Sequence, residues 1–339
     1  FMIRVGFFGA DDFSAGCLKA ILPLRFHTPK IISHIDVITR SPKLTGRGLQ
    51  HLNEFPVAKF ASANNVNVLR AEKNVDFGNL PDYDLCIAVS YGKLIPSSFL
   101  RSLPYGGLNV HPSLLSQYCG AAPLQRALLN QDDVTGVTVQ TLHPTEFDRG
   151  AILARDSYKI KPSETYRSLA EELSRRGGKL LYDILLNRMY DCNIPGYITL
   201  PPVLPLSYAK KVQPSERQIN WSQYDTFKIV RNFNTLGQLY TFKRYKSRKS
   251  RNGELKLRRV VLDDIREANG YSFSAGSIPG SFIVDPANKQ RLLIKTIDGN
   301  VSAGIIKVES LGSVSGDRMS NPTKKMFGGI YDNVFVSDK

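Results

Sequence analysis

The sequence predicts an α/β fold: a Rossmann-like parallel sheet wrapped by helices, followed by a small, OB-like β-barrel. Three observations carry that expectation. Short apolar runs alternate with helix-length segments through roughly the first 200 residues. The proline-rich stretch PGYITLPPVLPLSYAKK then interrupts the alternation. Beyond it strand-like runs dominate, punctuated by Gly, Asn and Asp. At 339 residues the chain has room for about two domains.

Taken in order, the expected strands of the first part are IRVGFFG (Ile3 to Gly9), HIDVITR (His34 to Arg40), DLCIAVS (Asp84 to Ser90), GLNV (Gly107 to Val110) and GVTVQTL (Gly136 to Leu142). Between them SAGCLKAIL, PVAKFASAN, APLQRALLN and TYRSLAEELSRRGGKLLYDILLNRM read as helices, the last long and amphipathic. The prolines make residues 195–215 an extended linker rather than packed structure. This divides the chain into a first domain over residues 1–194 and a second over residues 216–339. In the second, YDTFKIVRNFN reads as a helix, and FKRYK, LKLRRVVLDD, GSFIVD, RLLIKTID and AGIIKVESL as strands of a barrel.

The formal charge is +15, and the final third, from Glu216 on, holds 21 Lys and Arg against 12 Asp and Glu. Such a surplus favours a polyanionic partner. It is densest in KRYKSRKSRNGELKLRR, Lys243 to Arg259, with nine Lys or Arg and one Glu. Asn252 and Gly253 suit a type I′ turn, so two basic strands would project a ribbon that follows phosphates without reading bases. Lys243, Arg244, Lys246, Arg248, Lys249 and Arg251 are its candidate RNA contacts; the competing reading is a solvated loop.

Several classes are disfavoured. No apolar run approaches the roughly 20 residues that cross a bilayer, so a soluble protein is expected. The four cysteines are far apart without a CxxC pair, which argues against a zinc site or a disulfide framework. The turn GADDFSAG after the first strand lacks GxGxxG, and its aspartates would repel a pyrophosphate, so neither a nicotinamide nor a flavin is expected. The opening FMIRVGFFG begins as a strand, so any targeting peptide is expected to be absent or already removed.

The chemistry points to Asn109, His111 and Asp148. Asn109 and His111 end a strand of the sheet, where ligands of such folds bind. An amide and a protonated imidazole supply donors for an oxyanion growing on a carbonyl under attack. Asp148, in EFDRG after the next strand, lies beside the same sheet edge if that strand is parallel, where its carboxylate could orient the imidazole and take a proton from an attacking amine. This is an acyl-transfer site without a Ser or Cys nucleophile. The alternative is structural: Asn109 and His111 cap a helix after Pro112, and Asp148 closes a turn.

LNVHPSLLSQYCGAAPLQRALL resembles the core motif of the folate-dependent formyltransferases, and GAAPLQRALL is similar to the methionyl-tRNA branch in particular. FFGADDFSAGCLKAI, TRSPKLTGRGLQ, VSYGKLIP, TGVTVQTL, YAKKVQPSERQINWS and, loosely, SGDRMSNPTKKMF follow in the family's order. The resemblance implies a formyl group passed from 10-formyltetrahydrofolate to the α-amine of methionine on initiator tRNA, with no metal. It implies catalytic roles for Asn109, His111 and Asp148, a folate site along Ser113, Leu114, Leu115 and Ser116, and a tRNA-contacting loop carrying Arg47. Ser116 stands where the family usually has proline, and the LHPTEFDRG loop resembles organellar members, so a monomer of the mitochondrial matrix is expected. Two other readings compete: a formyltransferase or hydrolase acting on a small acceptor such as glycinamide ribonucleotide or water, and an inactive RNA-binding relative. The basic second domain argues against the first, and the intact trio against the second.

Overall fold

The computed structural model describes residues 2–45, 51–246, 255–309, 312–315 and 333–337, and it divides into two compact units, Phe1–Lys211 and Val212–Lys339. In the first, β1 (Ile3–Gly9) is apolar almost throughout because both faces of its sheet are covered, and Val5, Phe7 and Phe8 are fully buried. α1 (Asp12–Ile21), β2 (Ile32–Thr39), α2 (Pro56–Ala63), β3 (Asn67–Arg70), β4 (Leu85–Val89) and β5 (Gly107–His111) follow. After α3 (Pro123–Leu129) come β6 (Val134–Thr141), β7 (Ile152–Lys159) and α4 (Tyr166–Leu186). The seven strands lie in the order β7-β6-β5-β4-β1-β2-β3.

The five strands from β5 to β3 are parallel, whereas β6 and β7 run antiparallel to their neighbours. This corrects the expectation of a parallel strand at Gly136–Leu142. The antiparallel register pairs Leu108 with Thr141 and His111 with Thr138, so β6 starts beside the carboxyl end of β5. α4 is held as predicted by its apolar stripe. Leu169, Leu173, Leu181, Ile184 and Leu185 are buried in one core with Cys17, Leu18 and Ile21 of α1, each worth about 2 kcal/mol. Thr165 caps the helix, accepting from Ser168 N at 3.1 Å.

The proline-rich segment belongs to the first unit. It is extended, as its prolines require, but it is not free: Leu200 bridges Ile152, and Tyr208–Ala209 pairs in parallel with Cys119–Gly120. Ala209 is buried with Tyr118 and Ala127, and Leu200 packs against Leu115, Cys119 and Ile152. The expectation of an unpacked linker is thereby corrected; scattered apolar side chains along the segment find partners on the rest of the first unit.

The second unit opens with α5 (Thr226–Leu236), capped by Asp225, which accepts from Lys228 N at 2.7 Å. Then come β8 (Leu239–Lys246), β9 (Leu255–Glu267), β10 (Phe282–Val284), β11 (Leu292–Lys295), β12 (Asn300–Val308), β13 (Gly312–Ser315) and β14 (Phe335–Val336). The order is β10-β11-β12-β9-β8-β14, with β13 on β12. Ser281 bridges Val334, and Phe282 N donates to Asn333 O at 2.7 Å, so the two ends meet and the sheet closes into the expected barrel. Phe282, Phe335 and Trp221 stack inside it, and Trp221 Nε1 donates to Thr241 Oγ1 at 2.8 Å.

One expectation about the basic ribbon changes. Strand β8 pairs with β9 through the buried inward pairs Leu239–Leu262 and Thr241–Val260 as far as Lys246–Leu255, so burial sets the register; the expected turn at Asn252–Gly253 lies outside the described residues. Lys243 shares that inward alternation. It is 3% exposed and its ammonium donates to Arg244 O at 3.1 Å, so Lys243 is not presented to RNA. Arg244 is exposed. Arg47, Arg248, Lys249 and Arg251 lie outside the described residues, as does the side chain of Lys246.

Candidate active site

The three predicted residues come together. Asn109 and His111 stand at the carboxyl end of β5, with His111 5% exposed. Asp148 reaches them because the loop after β6 folds back on itself. Thr141 N donates to Ala151 O at 2.9 Å and Gly150 N to Gln140 Oε1 at 3.1 Å. A Cβ at Gly150 would lie 1.6 Å from Thr141 O, so no other residue closes this loop. Asp148 itself has φ +57, a left-handed conformation that Asp tolerates better than most residues. No helix starts after Pro112; residues 112–118 are turns and α3 begins at Pro123, which removes the capping alternative.

Four donors converge on the Asp148 carboxylate. Oδ1 accepts from Asn109 Nδ2 at 3.1 Å and Gln140 Nε2 at 3.4 Å, and faces His111 Nδ1 at 3.2 Å. Oδ2 accepts from Gly120 N at 2.7 Å. His111 Nε2 meets the carbonyl oxygen of Tyr118 at 2.9 Å. A carbonyl only accepts, so Nε2 carries a proton, and an imidazolium satisfies both ring nitrogens at once. The Nε2–H is then spent on Tyr118, and Nδ1 is engaged with the Asp148 carboxylate as an ion pair. The donor still available to an oxyanion is the second hydrogen of Asn109 Nδ2, a refinement of the expected two-residue oxyanion site.

Gln140, Gly120 and Tyr118 went unnoticed in the sequence. Gln140 left a signal: it is an amide on a strand of valines and threonines, and it pairs directly with Asn109. Gly120 and Tyr118 act through backbone atoms, which residue identity does not reveal.

Asn109, His111 and Asp148 open onto a cavity of about 520 Å³ at the ends of the central strands. Ala88, Leu94, Ile95, Leu100 and Leu142 give it an apolar wall, and Asp11, Gln125 and Tyr166 line it too. Burial pushes the Asp11 carboxyl up, against the opposing hydrogen bond from Ser14 N. A smaller cavity of about 270 Å³ lies across Asp148, lined by Leu115, Ser116, Arg149 and Leu200. Of the expected folate residues, Leu115 and Ser116 border this smaller space, while Ser113 and Leu114 are buried and border neither. Thr138 pins that stretch, its hydroxyl donating to Ser113 O at 2.7 Å and accepting from Leu115 N at 3.2 Å, so the Leu115 N–H is already engaged. Among the described residues no group of His, Cys, Asp and Glu is placed to hold a metal ion.

Residues 14–185, about half of the chain, match the family model described as formyl transferase. The chain is also 31% identical to the mitochondrial methionyl-tRNA formyltransferase of Saccharomyces cerevisiae, over 91% of this chain and 86% of that one. The chain belongs to the methionyl-tRNA formyltransferase family. A bacterial relative, the methionyl-tRNA formyltransferase of Dictyoglomus thermophilum, is 35% identical over 65% of this chain and 69% of its own. Among solved structures, WlaRD, a sugar 3N-formyl transferase crystallised with dTDP and 5-N-formyl-THF, has a similar fold. It gives a TM-score of 0.54 at 18% identity, over 89% of this chain and 97% of that one. The formyltransferase enzyme class expected from the central motif therefore stands, and so does the fold.

Proposed function

We propose that the chain transfers the formyl group of 10-formyltetrahydrofolate to the α-amine of methionine on initiator methionyl-tRNA, as a monomer in the mitochondrial matrix. The observation that carries this reading is the Asn109–Asp148–His111 cluster, with Asp148 Oδ1 at 3.1 and 3.2 Å from its partners beside a large cavity. Membership in the family and the names of its mitochondrial relatives support the acceptor and the compartment.

The donor fits the large cavity, its flat ring against the apolar wall of Ala88, Leu94, Ile95, Leu100 and Leu142. The amine lone pair attacks the formyl carbon, and the carbonyl electrons move onto oxygen. Asn109 Nδ2–H donates to that oxygen while the imidazolium of His111 offsets its charge. Asp148 takes a proton from the attacking nitrogen and passes it to N10 as the carbon–N10 bond breaks. Formylmethionyl-tRNA and tetrahydrofolate leave, and the carboxylate is regenerated.

Arg244 on β8, together with Arg47, Lys246, Arg248, Lys249 and Arg251, would contact the phosphates of the tRNA. Deleting Lys246 to Arg251 removes four cations, so tRNA affinity should fall and the slope of log K against log salt should flatten by at most about 3 to 4. An unchanged slope in a filter-binding titration would count against a role for this segment.

The deciding experiment follows radiolabelled formyl from 10-formyltetrahydrofolate to methionyl initiator tRNA, glycinamide ribonucleotide or water. Label on the tRNA is expected. Label on the small acceptor, or released formate, would replace this reading, and tRNA binding without transfer would leave an inactive relative.

A further inference from the structure

We propose that Ser207, in the proline-rich segment, is a positioning residue that sets the catalytic geometry of His111 and Asp148. The inference rests on the formyl-transfer reading above. Both catalytic side chains are held by one short loop. His111 Nε2 donates to the carbonyl of Tyr118, Asp148 Oδ2 accepts from Gly120 N, and Cys119 Sγ lies 3.7 Å from Asp148 O. That loop has little regular structure of its own. Tyr118 and Gly120 both have positive φ, +57 and +114.

What gives the loop its shape is residues 207–209. Ser207 N donates to Ser116 O at 3.1 Å, Ser207 O accepts from Cys119 N at 2.9 Å, and Ser207 Oγ accepts from Tyr118 N at 2.9 Å. Ala209 O accepts from Ala121 N at 3.0 Å and Ala122 N at 3.2 Å. The approach is so close that a Cβ on Gly120 would stand 3.1 Å from Ala209 O. Four of these bonds run between backbone atoms and would survive any side-chain change. The fifth, from Tyr118 N to Ser207 Oγ, depends on a side chain, and it anchors Tyr118, whose carbonyl meets His111, on the side opposite the Cys119 N bond. The far end of Tyr118 is anchored separately, its hydroxyl donating to Asp132 Oδ2 at 2.7 Å and accepting from Asn130 Nδ2 at 2.8 Å. Losing the Ser207 hydroxyl removes the anchor on the N-terminal side of Tyr118 and leaves its carbonyl positioned by the Cys119 N to Ser207 O bond and by the anchored ring, so the carbonyl shifts. The imidazole moves with that carbonyl, and a shift of about 1 Å in such a group costs about a hundredfold in rate.

The test is Ser207→Ala in the full chain, with Ser207→Thr beside it. The expected result is a kcat lower by about 10- to 100-fold, with KM for donor and tRNA within about twofold and the melting midpoint nearly unchanged. Thr keeps the hydroxyl and should restore most of the loss. An unaltered kcat, a loss that Thr does not repair, or a loss that tracks a fall in melting midpoint would overturn the proposal. A second readout needs no turnover: the His111 Nε2–H proton, assigned by its absence in His111→Asn, should exchange with water faster in Ser207→Ala than in the unaltered chain. Equal exchange would overturn the positioning role. If the unaltered chain transfers no formyl at all, the proposed function falls, and the exchange measurement still decides whether Ser207 orders the loop.

Discussion

Replacing Asp148 with Asn keeps the shape of the side chain and removes its charge. Asp148 and His111 are both 7% exposed at the side chain and 3.2 Å apart, so their attraction is weakly screened. At an effective dielectric of about 20, Coulomb's law gives about 5 kcal/mol for such a pair. The amide also cannot satisfy its surroundings in either orientation. With its nitrogen toward Gly120 N, two donors oppose each other at 2.7 Å; flipped, the nitrogen faces the donors of Asn109, His111 and Gln140. One buried donor left unmatched costs about 1–3 kcal/mol of stability. The carboxylate is also the group that takes the amine proton, a role worth about 10²- to 10⁴-fold. We therefore expect kcat to fall about 10³-fold, or about 4 kcal/mol of barrier, with the melting midpoint lowered by several degrees. Single-turnover formylation at saturating donor and tRNA measures the first, and a thermal melt the second. A kcat within tenfold of the unaltered chain, or a deficit that disappears when substrate is raised, would refute the assignment of Asp148 to the chemical step.

Gly120→Ala should reduce activity by at least about a hundredfold, because φ +114 strains any side chain and the new Cβ meets Ala209 O, moving the N–H that holds Asp148; a variant with normal kcat would show that this N–H is dispensable. Asp11→Asn keeps an acceptor for Ser14 N and removes a carboxylate that burial pushes above its ordinary value of 3.8. The folded chain then binds that proton more tightly than the unfolded chain, so ionised Asp11 lowers stability above the raised value and the cost fades as pH falls toward about 4. The Asn variant should melt higher than the unaltered chain at pH 7, with the gap closing on acidification; a lower midpoint at pH 7 would mean that the charge at the start of α1 outweighs its burial.

Apolar periodicity made the first unit legible. The five expected strands and four expected helices are all present, because continuous apolar runs are what a doubly covered sheet demands and a stripe at helical spacing is what α4 needs to pack on α1. Asn109, His111 and Asp148 were legible as a group through the family resemblance; as polar groups at a strand end and in the loop after the next strand they also admitted a structural reading. The short strand Asn67–Arg70 and the strand Ile152–Lys159 were not, since the first is brief and the second, at the edge of the sheet, carries Arg, Asp and Ser in succession.

The directions of β6 and β7, the inward turn of Lys243 and the packing of the proline-rich segment depend on distances along the folded chain, and composition carries no record of these. Counting charges marked Lys243 as a phosphate contact, whereas its register opposite Arg258 puts it inside the barrel. The geometry of the proposed catalytic group is the clearest case. Residue types named the amide, imidazole and carboxylate, but the bonds that hold them come from the backbone of Tyr118 and Gly120, braced by Ser207 some 90 residues further on. Every residue except proline offers the same N–H and C=O, so which of these groups faces the site is settled when the chain packs.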